Sequence, residues 1–253
     1  MNKISVVITT RNEAAILANT LKSLQGLTDD IIVVDNGSTD DTIEIAGQFN
    51  VKLLQTGWLG FGPTKNIGND AASYHWILSL DADEAIDDQL KQHLLQLQLP
   101  ADGQIVYDLS FKTFIGKHQL KFGEYAGDHH IRLFNKKHVQ WNAALVHEKL
   151  ILPAHFTVQK LKGHVLHYTM KDFESYSRKL FHYAGLNALK LFDAGKKAAP
   201  AKIYLSPFVS FVINYIFKLG FLDGWRGYTS ARLSAFYTFL KYARLKELWQ
   251  QDK

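Results

Sequence analysis

The chain contains no cysteine, which excludes disulfides and thiolate metal sites and permits a reducing compartment. Its start, Met1-Asn2-Lys3-Ile4, lacks the basic end, apolar stretch and small-residue cleavage site of a secretory signal. A cytosolic protein is therefore expected. No internal repeat, low-complexity tract or nucleic-acid-binding module is recognisable, so no nucleic acid partner is expected. What is present is 253 residues, 47% of them hydrophobic, enough for one large core or a core with an appendage.

Charge is unevenly spread. Residues 1–159 carry thirteen basic against eighteen acidic side chains, whereas residues 160–253 carry sixteen against six, a surplus of ten positive charges. A basic, aromatic-rich carboxyl third suits anionic lipid or an acidic saccharide.

The amino-terminal hundred residues repeat one grammar, in which an apolar strand stops at a polar cluster and passes into a helix. Ile4-Ser5-Val6-Val7-Ile8 runs into Thr9-Thr10-Arg11-Asn12-Glu13, and Ile31-Ile32-Val33-Val34 into Asp35-Asn36-Gly37-Ser38-Thr39-Asp40. Val51 to Gln55 leads through a glycine-rich stretch to Pro63-Thr64-Lys65-Asn66, and Trp76 to Leu80 ends at Asp81-Ala82-Asp83-Glu84. Alternation of this kind predicts an α/β fold with a mostly parallel sheet whose polar strand ends converge on one crevice. Two carboxylates at i and i+2 on such an edge suit a hard divalent cation that keeps positions open for water and phosphate. The bland alternative makes them the N-cap and first turn of the next helix.

These four motifs, in this order, resemble the nucleotide-sugar domain of inverting family 2 glycosyltransferases. Arg132-Leu133-Phe134-Asn135, Trp141, Val146-His147-Glu148 and His164-Val165-Leu166-His167-Tyr168 further resemble the branch that adds glucose or a related sugar to the lipopolysaccharide inner core. The resemblance implies a GT-A fold, Rossmann-like, whose nucleotide-sugar half covers 1–100; residues 101–169 are expected to build the acceptor half, and helical spacing from Met170 onwards sets off a helical region over 170–253. The resemblance also implies a UDP-sugar donor, a saccharide-lipid acceptor and Mg²⁺ or Mn²⁺ as cofactor. Transfer to a polyprenyl phosphate or a protein is the nearest alternative, and a non-catalytic nucleotide-sugar-binding or scaffold protein is a further one.

Site roles follow from that resemblance. Asp35 would accept a hydrogen bond from uracil, the competing helix-cap role being open to Ser38 or Thr39. Thr9, Arg11 and Glu13 match the nucleotide-contacting first loop, although Arg11 and Glu13 also read as a surface pair beside a helix start. Lys65 stands where related sequences often carry Arg near the base or diphosphate. Asp81 would contact ribose or reach the metal through water. Asp83 would coordinate the metal, with His167 as a further ligand and His164 its competitor. Glu148 is the candidate general base, with Asp128 and Glu124 competing, His147 beside it to orient it or bind acceptor, and Trp141 available to stack on a sugar.

In the carboxyl third, Met170 to Leu191 has helical spacing and Asp193 to Pro200 reads as a break. Ile203 to Leu222 is apolar nearly all round yet interrupted by Pro207, Asn214 and Lys218, and Trp225 to Lys246 mixes aromatic with basic residues. A helical pair lying on an anionic membrane surface is expected, making the protein peripheral to the inner face of the cytoplasmic membrane. Packing on the catalytic domain or in a homodimer is the alternative.

Overall fold

A computed structural model describes residues 3–143, 148–170 and 173–251. The chain divides into two units, residues 1–111 with 127–168, and residues 112–126 with 169–253.

The first unit begins with β1 (Ile4–Thr10), α1 (Leu17–Ser23), β2 (Ile31–Asp35), α2 (Thr42–Gly47), β3 (Lys52–Gln55), α3 (Phe61–Ala71) and β4 (Trp76–Asp81). There follow β5 (Glu84–Ile86) and α4 (Asp88–Gln96). The strand β6 (Ile105–Ile115) ends in the second unit, where it forms a hairpin with β7 (His118–Leu120). The hairpin turns at Gly116-Lys117, with Ile115 opposite His118. Returning to the first unit, the chain forms β8 (His129–Asn135), β9 (Gln140–Trp141), β10 (Leu150–Ile151) and β11 (Thr157–Met170).

The main sheet has the order β3-β2-β1-β4-β8-β6-β11-β5. Its first four strands are parallel, as the alternating motifs require, and the sheet then continues with β8 antiparallel to β4, β6 antiparallel to β8, and β5 antiparallel to β11. Side chains alternate across the pleat. Ile4, Val6 and Ile8 meet Leu17, Leu21, Leu90 and Leu94 on one face, while Val7, Ile32 and Val34 meet α3 on the other. Both faces are covered, which is why β1 is buried along its whole length. On the second face Gly68 lies so close to the sheet that a Cβ there would stand 2.3 Å from Val7 Cγ1. That contact sets the depth of α3 and of the Lys65 it carries.

Register places the chemistry. Thr9 of β1 pairs with Asp81 of β4, and Thr10 with Asp35 of β2, so the carboxyl ends of the strands lie side by side. After Asp83 the chain enters β5 rather than a helix. The cap of α4 is Asp87, whose carboxylate accepts from Leu90 N at 2.8 Å. Asp81 and Asp83 are thereby released from the capping role.

The second unit contains α5 (Phe173–Asp193), α6 (Pro200–Val212) and α7 (Gly224–Gln251). Three expectations change here. Met170 ends β11 instead of opening a helix, because its carbonyl accepts from Gly116 N at the β6–β7 hairpin. The run from Ile203 to Leu222 is not one helix: α6 gives way to a π-turn over Ile213–Phe217, then to Leu219 in the left-handed region and a 3₁₀ turn over Gly220–Asp223. Asn214, turned inward towards Ser234, explains the break, since its amide finds a hydroxyl there that an apolar helix face does not offer. The final helix outruns its expected end at Lys246 and continues to Gln251.

Candidate active site

Asp81 is the hub of the first unit's polar cluster. Thr9 Oγ1 donates to its Oδ1 at 3.0 Å, Lys65 Nζ stands 3.1 Å from the same oxygen, and Arg132 Nη2 lies 3.3 Å from Oδ2. Arg132 also reaches Glu84 Oε1 at 2.6 Å, while Glu84 Oε2 accepts from Asp81 N at 2.9 Å. Burial alone would raise the Asp81 carboxyl, but Lys65 and Arg132 hold it far below the usual carboxylate range. Burial would likewise lower Arg132, and Glu84 with Asp81 outweighs it, so the guanidinium keeps its proton. Glu84, nearly sealed from solvent, is raised by burial against the pull of Arg132. Asp81 is thus engaged by two protein cations, while a third of its side chain stays exposed.

Lys65 is a second hub of the cluster. Its ammonium is only 1% exposed and bridges Asp81 to Glu148 Oε1, 2.7 Å away, lying 4.8 Å from the centre of the Trp141 ring. A lysine so placed holds two carboxylates together.

Asp83 and His167 come together, with Nε2 3.7 Å from Oδ2, and Tyr168 N donates to the Asp83 carbonyl at 2.9 Å. Burial would lower the His167 imidazole, but Asp83, Glu84 and Asp81 raise it to about 9. His164 is placed elsewhere, with its Nδ1 2.9 Å from Asp87 Oδ2. Among the described residues no group of three or more His, Asp or Glu forms a ready metal cage. A carboxylate with an imidazole nevertheless fits Mn²⁺ as a partial donor set whose other ligands come from water and phosphate, while Mg²⁺ would use the Asp83 carboxylate alone. The imidazole must give up its proton to ligate, so cation and proton would compete there.

The first two loops are laced to each other. Asn12, at φ 56°, accepts from Thr39 N at 2.7 Å and donates its own N–H to Ser38 Oγ, while Ala14 N donates to Asp40. Asp35 is fully buried and accepts from Gly37 N and Ser38 N at 3.0 Å each and from the Ser38 hydroxyl. The cap competition foreseen for Ser38 and Thr39 does not arise, because α2 starts only at Thr42, after Asp41. Asp35 instead organises the turn, and any uracil contact would have to use its remaining lone-pair capacity. Arg11 is exposed and Glu13 half-buried at the start of the α1 segment.

Glu148 lines a cavity of about 600 Å³, together with Arg132, Trp141, Asp108, His129 and His130. Trp141 is 7% exposed, with Phe134 at its edge, which leaves little face for a sugar. Asp128 pairs with His130 at 3.1 Å, and Glu124 belongs to the second unit. His147 lies outside the described residues. Arg132, Glu84 and Asn12 all stand within the sequence motifs, yet none of them has an expected role there. A charged residue inside an apolar β8 and a third acid after Asp83 were the available signals.

Residues 5–183 match the model of a family described as glycosyl transferase family 2. An uncharacterised glycosyltransferase of Rickettsia typhi is 28% identical over 98% of this chain and 88% of its own. The lipopolysaccharide core biosynthesis glycosyltransferase LpsC of Rhizobium meliloti is 23% identical over 96% of this chain and 91% of its own. Among solved structures, Staphylococcus aureus TarS 1–349 in complex with UDP-GlcNAc aligns over 99% of this chain and 92% of its own, with 15% identity and a TM-score of 0.47. The α/β core followed by a helical carboxyl-terminal region is the GT-A-like architecture that the motifs implied, and with a family match over most of its length the chain belongs to glycosyl transferase family 2.

Proposed function

We propose that this transferase moves a hexose, namely glucose, from a uridine diphosphate sugar to a saccharide-lipid acceptor of the lipopolysaccharide core, with inversion. The observation that carries the reading is the Glu148 carboxylate, held on the wall of the cavity by a buried lysine that also grips Asp81. An inverting transfer needs one positioned carboxylate to take the proton of the acceptor hydroxyl as its oxygen bonds to the anomeric carbon. The electron pair of the broken glycosidic bond leaves with the nucleoside diphosphate. Glu148 would be that base, and Lys65 would hold it in place. Thr9 and Arg132 contact Asp81, so a donor bound beside Asp81 and an acceptor beside Glu148 would be tied through the same lysine.

Asp83 and His167 would hold Mn²⁺, or Asp83 alone Mg²⁺, whose chemistry is to neutralise charge on the departing diphosphate. Asp128 remains the competing base, already engaged with His130. The lipopolysaccharide assignment draws on the full-length likeness to LpsC. Mass spectrometry of lipopolysaccharide from a strain lacking the protein tests it. One missing core hexose is expected, and an unchanged core would send the search to polyprenyl phosphate or protein acceptors.

A further inference from the structure

The second unit exposes apolar surface where its helical run breaks. Phe208 of α6 is 66% exposed, Phe217 of the π-turn 75% and Trp225 of α7 64%, with Ile216, Phe221 and Leu222 also exposed between them. An apolar patch of this kind on a folded unit marks an interaction surface rather than scattered surface residues.

The break is built, not frayed. Asn214 turns its amide to Ser234, Gly123 N donates to the Lys218 carbonyl at 2.9 Å, and Asp223 accepts from both Lys121 N and Phe122 N at 2.9 Å. A Cβ on Gly227 would stand 1.8 Å from the Gly220 carbonyl oxygen, so the start of α7 is pressed against the 3₁₀ turn. The exposed side chains therefore project from a fixed corner, bent by 72° between the α6 segment and the α7 segment.

Charge identifies the occupant. From residue 194 to 246 the sequence carries nine Lys and Arg and a single acid, Asp223, which is occupied by those two backbone N–H groups. Lys218 is exposed at the end of the π-turn, exposed Arg232 of α7 lies 5.8 Å from the centre of the Phe211 ring of α6, and the Arg226 guanidinium lies 4.7 Å from the centre of the Trp225 ring. A second copy meeting the same surface across a two-fold axis would bring like charges together. No single helix among the described residues is long and apolar enough to cross a bilayer; only the bent pair Pro200–Phe217 with Gly220–Gln251 has the length and composition together, and its 72° bend suits entry into one leaflet rather than a straight span.

We infer that this corner, from Phe208 to Trp225, is a membrane-docking wedge whose apolar side chains enter one leaflet while the surrounding Lys and Arg bind anionic lipid headgroups. Apolar insertion with basic flanks is how in-plane helices hold a membrane surface, and each alone holds weakly. The inference supplies a location for the lipid acceptor of the proposed function, and lipid binding is read without turnover, so either can fail alone.

The test is vesicle flotation of the full chain beside Phe217→Ser/Phe221→Ser/Trp225→Ser, with circular dichroism to confirm that the variant folds. The wild type should float with vesicles containing phosphatidylglycerol, weakly with pure phosphatidylcholine, and less as salt is added. The variant should lose affinity on the order of tenfold or more. Brominated lipid should quench wild-type tryptophan fluorescence more than that of Trp225→Phe. Absence of flotation by the wild type, equal flotation of the variant, or a wild-type dimer that the variant dissociates without any vesicle binding would each overturn the inference. If the variant does not fold, Lys218→Glu/Arg226→Glu/Arg232→Glu replaces it and must abolish the preference for anionic vesicles.

Discussion

Lys65 and Glu148, 83 residues apart in sequence, meet at 2.7 Å. The lysine comes from α3, whose depth is fixed by Gly68, and the glutamate from the segment between β9 and β10. Because the same ammonium also contacts Asp81, the candidate base and the end of β4 are joined through one buried cation. Removing that cation leaves two carboxylates facing each other across its vacated site.

Lys65→Met should therefore cost about 3 kcal/mol of stability, the scale of breaking a buried ion pair by removing one partner. Urea unfolding of Lys65→Met, Glu148→Gln and the double variant measures it. The double variant should recover part of the loss, and strict additivity would show that the pair does not couple.

Glu148→Gln keeps the shape of the side chain and loses the proton acceptor. Turnover should fall by about 10²- to 10⁴-fold, while donor binding survives. Unchanged turnover in this variant together with an inactive Asp128→Asn moves the base to Asp128.

Asp83→Asn should abolish divalent-cation-dependent transfer and lower the unfolding midpoint modestly, since His167 loses its charged partner, without unfolding the protein. Transfer is measured with Mn²⁺, with Mg²⁺ and with chelator. Full activity of Asp83→Asn in chelator would reject the cation role of this residue.

Asp35→Ala removes the acceptor of three hydrogen bonds in the turn after β2, two of them from backbone N–H groups. A stability loss of about 2 kcal/mol is expected, since buried donors are left unpaired. Calorimetric titration with UDP, run beside the unfolding curve, separates the turn from the uracil contact. A stable variant with weakened UDP binding would restore the uracil role.

Asp87 gives the pH dependence. Burial would raise its carboxyl, but the N–H groups of His164 and Leu90 and the His164 ring hold it below the ordinary range. A lowered folded-state value stabilises in full above the unfolded value of about 3.9 and loses that contribution as pH falls through the folded one. The stability gap between wild type and Asp87→Asn should therefore be widest near neutrality and narrow below about pH 4. A gap independent of pH would contradict this assignment.

Much of the site was legible by type and not by partner. Thr9, Asp35, Asp81 and Asp83 were readable because each ends or follows an apolar strand, and parallel pairing puts such ends together. Lys65 was readable as a helix-start cation, yet nothing local says that it lies buried between Asp81 and Glu148. His164 and His167 alternate along β11, so the sequence offers both; β11 brings the first to Asp87 and the second to Asp83.

By itself the sequence determined the α/β order, the parallel first half of the sheet and the family, because period-two apolar runs and strand-end polar clusters are local properties of the chain. It also determined the basic character of the carboxyl third. The tertiary structure decided which charges pair, since ion pairing depends on distances between strands and helices far apart in the chain. It decided too that the apolar run breaks after Val212, because Asn214 finds its partner only on α7. Periodicity reports which face of an element is apolar; what meets that face is set by packing.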